Sequence, residues 1–125
     1  MAEVLESRHL WNPAVALRRM GEDIDLLSSV VDYFLEDFPN LLQDLTERID
    51  ASDAEEACRL AHSLKGLCSN FEAAAATQAG AVLEAACTDE NFEEALELIS
   101  PLTEQLRQLT LVLTEWKESN SNLAA

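Results

Sequence analysis

Glycine and proline are scarce in this chain of 125 residues, with three of each. That supply is too small for the turns of a strand-rich fold. Basic residues are scarce as well: eight Lys and Arg stand against 24 Asp and Glu, for a net charge of −16 and a pI near 4.2. Such a balance argues against nucleic acid, or an anionic membrane, bound through a general basic surface. No apolar run approaches the roughly 20 residues that cross a bilayer, so membrane insertion is not expected. The first residues, Met-Ala-Glu-Val-Leu-Glu, lack the basic-then-apolar order of a secretory signal. Three cysteines cannot all pair within one chain, and free thiols in a reducing cytoplasm are the simplest expectation. The three glycines are isolated, so no glycine-rich phosphate loop is present. No Ser-His-Asp or Cys-His arrangement follows from the spacing.

What is present is helical periodicity. Hydrophobic residues make up 48% of the chain, enough for one domain with a single core and too many for disorder. Met1 to Leu10 reads as a polar lead-in, where His9 has no supporting constellation and reads as a surface residue. Asn12 and Pro13 mark a helix start, as N-cap and first helical residue. That short helix ends at Gly21, and Trp11, Val15 and Leu17 are placed to cover one end of a core. From about Asp23, the residues Ile24, Leu27, Val31, Phe34, Phe38, Leu41, Leu45 and Ile49 recur at helical intervals. Pro39 interrupts this run and predicts a kink. Ala51 to Asp53 predicts a tight connection with Ser52 or Asp53 as N-cap. An Ala-rich helix is expected from Ala73 to Cys87, its larger apolar residues being Val82 and Leu83. A polar turn at Thr88 to Asn91 follows. Phe92, Ala95, Ile99, Leu102, Leu106, Leu109, Leu113 and Trp116 then form a seam of alternating three- and four-residue steps, with Pro101 predicting a kink or break. The predicted architecture is all-α: an antiparallel four-helix bundle over residues 11–118 with an additional short N-terminal helix, after a lead-in at 1–10 and before a frayed tail at 119–125.

One helix, from near Asp53 to about Phe71, carries the most informative residues. With each residue advancing about 100°, Ala57, Leu60, Ala61, Leu64, Leu67, Cys68 and Phe71 share a core-facing arc. His62 falls on the opposite side, which predicts an exposed ring, with Arg59, Lys65, Gly66 and Ser69 around it. Gly66 costs about 1 kcal/mol relative to alanine inside a helix, and lacking a Cβ it leaves the imidazole uncovered. Arg59 and Lys65, three residues away on either side, are placed to meet an anion at His62. An imidazole nitrogen is a nucleophile near neutral pH. A group carried on it needs space, a cation and an oriented ring.

Ala61-His62-Ser63-Leu64-Lys65-Gly66 resembles the motif of histidine-containing phosphotransfer (HPt) domains of phosphorelays. The similarity continues through Ser69, Asn70, Phe71 and Ala73, and returns at Leu83-Glu84. Upstream, Phe34, Phe38, Pro39, Leu41 and Leu42 resemble the family's preceding helix, so the likeness spans roughly Trp11 to Trp116. The family usually has glycine two residues after the Asn70 position; here Glu72 stands there. The resemblance implies that His62 accepts a phosphoryl group, that Lys65 meets its charge, and that a polar residue at the Glu84 position orients the imidazole. The alternative for Glu84 is a solvated helix carboxylate. The partner implied is the receiver domain of a response regulator or hybrid histidine kinase, which brings the acidic pocket, the metal and the aspartate. The chain itself then needs no cofactor and works as a phosphocarrier, not an enzyme. Docking is expected around His62 on Arg59, Ser63, Gly66 and Ser69, with Thr88 in a second ring. A start at Met1 and a full set of bundle helices favour a free-standing protein. Two alternatives compete. Cys58 and His62 share a helical face with Glu55 nearby, but no CxxC or HExxH supports zinc. An acidic helical adaptor without phosphotransfer would explain the charge and the bundle and leave His-x-x-Lys-Gly without a purpose.

Overall fold

The computed structural model describes residues 10–124. His9 and the rest of the lead-in lie outside them. Five helices follow one another: α1 (Pro13–Arg19), α2 (Ile24–Asp50), α3 (Ala54–Ser69), α4 (Ala74–Thr88) and α5 (Phe92–Ala124). No strand occurs among the described residues. Short turns reverse the chain between helices, each of α2 to α5 packs on the next, and α5 returns to α2. That closed ring is an antiparallel four-helix bundle.

The caps follow side-chain chemistry. Asn12 Oδ1 accepts from the Val15 N–H at 3.3 Å with Pro13 beside it. Asp23 accepts from the Leu26 N–H at 3.0 Å and Asp53 from the Glu56 N–H at 3.3 Å, so Asp53 is the N-cap of α3. Ser52 has another task, with φ at +55°. Four connections close in the same way. Gly21, Ser52, Glu72 and Glu90 turn left-handed, and the N–H of the following residue donates to the carbonyl five back: Glu22 to Leu17, Asp53 to Arg48, Ala73 to Cys68 and Asn91 to Ala86. This is the Schellman closure, which favours glycine. Only the first of the four uses it.

The core is built from Leu27, Val31, Phe34, Leu45 and Ile49 of α2, the α3 arc, Leu83 of α4, and Leu102, Leu106, Leu109 and Leu113 of α5. Leu83 is buried while its neighbour Val82 is exposed, as is Ile24 at the start of α2. α1 lies across one end. Trp11 stands edge-on to Phe71 and Trp116, at centroid distances of 6.5 and 5.8 Å. The Asn12 N–H donates to the Phe71 carbonyl at 3.0 Å. This end of the bundle thereby fixes the turn that follows α3.

Pro39 and Pro101 are exposed, and neither ends its helix: α2 and α5 each continue as one element through them. With the rings toward solvent, the hydrogen bond each proline removes is lost where water can replace it. α5 also continues from Ser119 to Ala124, a stretch predicted as a frayed tail. No glycine or proline interrupts it, and Asn120 Nδ2 donates back to the Trp116 carbonyl at 2.8 Å.

Candidate functional site

α3 presents its apolar arc inward, with Ala57, Leu60, Ala61, Leu64 and Cys68 buried and Leu67 partly buried, and Phe71 is buried in the turn just beyond it. Burying that arc turns His62 to the surface, where its side chain is 71% exposed. The ring is not loose. Its Nδ1 lies 2.9 Å from Glu84 Oε2, and Lys65 Nζ donates to Glu84 Oε1 at 2.8 Å. One carboxylate from α4 thus ties together two side chains set one turn apart on α3. The Glu84 side chain is 22% exposed and that of Lys65 is 29% exposed.

Protonation follows from these contacts. The Lys65 hydrogen bond first, and the His62 contact after it, hold the Glu84 carboxyl below its usual range against the opposing effect of burial. An ionised carboxylate only accepts hydrogen bonds, so His62 Nδ1–H donates to it. In the neutral ring the other nitrogen, Nε2, then carries the lone pair. Nε2 has no hydrogen-bond partner among the described residues.

The residues around the ring are arranged unevenly. A Cβ built on Gly66 meets nothing within 4 Å, so the surface beside His62 is open there. Ser69 Oγ donates to the Gly66 carbonyl at 2.8 Å. Thr88 Oγ1 donates to the Glu84 carbonyl at 3.0 Å and lies 3.5 Å from Cys58 Sγ, one turn before His62. Ser63 is partly buried. Arg59 is held by Glu56, its Nη2 donating to Oε2 at 2.7 Å and its Nε reaching both oxygens at 3.2 Å. The guanidinium is therefore paired with Glu56 on the surface of α3, its side chain 61% exposed. Two features escaped the periodicity analysis. Glu56 is one. The other is Gly80 of α4, buried against the backbone of Lys65, whose only signal was a glycine inside a helix.

Among the described residues no three His, Cys, Asp or Glu side chains gather to hold a metal ion. No helix among them is long and apolar enough to cross a membrane. Cys58, Cys68 and Cys87 are free thiols, and burial pushes Cys68 up to about 12.

A family model, Hpt domain, matches residues 29–118. The match covers α3 and α4 whole and most of α2 and α5, and the chain belongs to this family. Hpt domains serve phosphotransfer in two-component systems, and that is the general role of this chain. Comparison with curated proteins finds no match, and neither does comparison with solved structures.

Proposed function

We propose that His62 is the phosphoacceptor of a His–Asp phosphorelay, taking a phosphoryl group from a receiver aspartyl phosphate or a sensor kinase and passing it to another receiver aspartate. The observation that carries this reading is the Glu84 bridge. It holds Nδ1 as a donor and leaves Nε2 as an exposed nucleophile. The Nε2 lone pair forms a bond to phosphorus, and the bond from phosphorus to the aspartyl oxygen breaks, its electron pair leaving with the carboxylate. No proton moves. The ring becomes a cation that keeps its Nδ1–H, and Glu84 balances the new charge at 2.9 Å. Lys65 meets the phosphoryl oxygens. The reverse sequence delivers the group to the second receiver.

Carrier and receiver must meet and part, so the interface is modest, at or below roughly 1,200 Å² in total. It centres on His62, with Ser63, Gly66 and Ser69 around it and Thr88 beyond. Arg59, paired with Glu56 in the chain alone, lies at its edge. The domain spans residues 11–118, and its free thiols suit a reducing cytoplasm. The test is phosphotransfer from a panel of phosphorylated receivers of the same cell. The chain should gain an acid-labile, base-stable phosphate, and His62→Gln should gain none. Labelling of that variant at the wild-type level would overturn the assignment.

A further inference from the structure

Gly80 sits in the middle of α4, where glycine costs about 1 kcal/mol relative to alanine. Its backbone is ordinary helix, so no left-handed conformation demands it. The demand comes from α3. A Cβ at position 80 would stand 3.3 Å from Lys65 Cβ, 3.4 Å from Lys65 Cα and 3.7 Å from Lys65 N. The contact tighter than ordinary is the one with Lys65 Cβ, and the two backbone atoms stand at ordinary van der Waals distance. A Cβ is fixed to its backbone and cannot swing aside, so relief requires α3 to shift by a few tenths of an ångström. Gly66 differs in that nothing lies within 4 Å of its missing Cβ. One glycine opens the surface, and the other closes the gap between helices.

The gap closed at Gly80 is the one that Glu84 spans. Glu84 lies one turn along α4 from Gly80, and its two oxygens reach His62 at 2.9 Å and Lys65 at 2.8 Å on α3. Hydrogen bonds of that length weaken when the helices separate by a few tenths of an ångström. We infer that Gly80 is a positioning residue for phosphotransfer: it sets the α3–α4 separation at which Glu84 grips His62 and Lys65 together. The inference rests on the reading of His62 as phosphoacceptor.

The experiment compares Gly80→Ala, Glu84→Ala and the double variant in the full chain, with phosphoramidate as phosphodonor and ammonia as the leaving group. Circular dichroism establishes that each is folded. A misplacement of about 1 Å can cost ~100-fold in rate, so a few tenths should slow labelling of His62 roughly three- to tenfold. Nitrogen-15 shifts of the imidazole should show less of the Nδ1–H tautomer in Gly80→Ala. In the Glu84→Ala background the same substitution should change the rate less than about twofold, because coupled residues are not additive. Equal slowing in both backgrounds, or an unchanged rate and tautomer in Gly80→Ala, would overturn the inference. The His62 reading is judged separately, by whether His62→Gln is labelled.

Discussion

Arg19, at the end of α1, forms an ion pair with Glu72, whose backbone turns left-handed between α3 and α4. Arg19 also donates to the Ser69 carbonyl at 3.3 Å. A position where the family usually has glycine is thus filled by a residue that adopts the glycine conformation and gains a partner for its side chain. The turn keeps its Schellman closure, and α3 and α4 keep their antiparallel course.

The left-handed conformation costs a residue other than glycine about 1–2 kcal/mol, and glycine returns part of that through its greater freedom when unfolded. Glu90 has the same backbone, φ +56°, on an exposed turn, with no ion pair among the described residues. Glu90→Gly should therefore stabilise the fold by about 0.5–1 kcal/mol, seen as a higher urea midpoint at unchanged slope. Glu72→Gly should gain less, because it gives up Arg19. A larger gain at Glu72 than at Glu90 would mean the ion pair contributes nothing.

Glu84→Gln tests the tautomer argument with an isosteric change. An amide has one accepting oxygen and one donating NH2. Lys65 can only donate, so the oxygen goes to Lys65 and the NH2 faces His62 Nδ1. The ring must then accept at Nδ1 and carry its proton on Nε2, where it blocks the nucleophile. The lost charge-assisted hydrogen bond is worth ~1.5–3 kcal/mol, which is ~10- to 150-fold in transfer rate. Imidazole nitrogen-15 shifts should report the inverted tautomer. Wild-type transfer with Nδ1–H retained would remove Glu84 from the mechanism.

These residues were unequally legible in the sequence. The α3 arc and the exposure of His62 follow from a 100° step, because a helix leaves no freedom about which side a residue occupies. Glu84 was placed beside His62 through a family resemblance; spacing within one helix says nothing about a neighbouring helix. Helical spacing places Arg59 one turn from His62, and the same spacing places Glu56 where it pairs with Arg59. Gly80 was invisible for the reason that Glu84 was ambiguous: both act across a helix–helix gap.

Stability against pH should pass through a maximum. At pH 7 the net charge of −16 repels itself, so mild acidification stabilises the fold. Glu84 and Glu56 have carboxyls held below the usual 4.5 by Lys65 and Arg59, and Arg107 and Gln108 hold Glu104 down to about 2. A depressed carboxyl contributes stability above its unfolded pKa and loses it as pH falls through the folded value. Urea midpoints should therefore rise from pH 7 to about 5 and fall again below about 4. A midpoint that keeps rising to pH 3 would show that these pairs add nothing to relief of repulsion.

Docking and chemistry should separate at two positions on α3. His62→Gln removes the nucleophile and keeps most of the ring's bulk, so receiver binding should persist while phosphate acceptance is lost. Ser69 lies one turn beyond Gly66 and turns its hydroxyl back onto the Gly66 carbonyl. A tryptophan there would project over the open surface that Gly66 leaves. Ser69→Trp should then weaken receiver binding itself, by at least ~1.4 kcal/mol or tenfold in Kd, and slow transfer as a consequence. Its reaction with phosphoramidate should change less, since a small donor does not need the protein surface. Calorimetric titration and transfer assays with a receiver that phosphorylates the wild-type chain measure the two steps apart. Normal binding of Ser69→Trp would place the docking face elsewhere on the bundle. Loss of binding in His62→Gln would mean that the imidazole anchors the complex as well as carrying the phosphate.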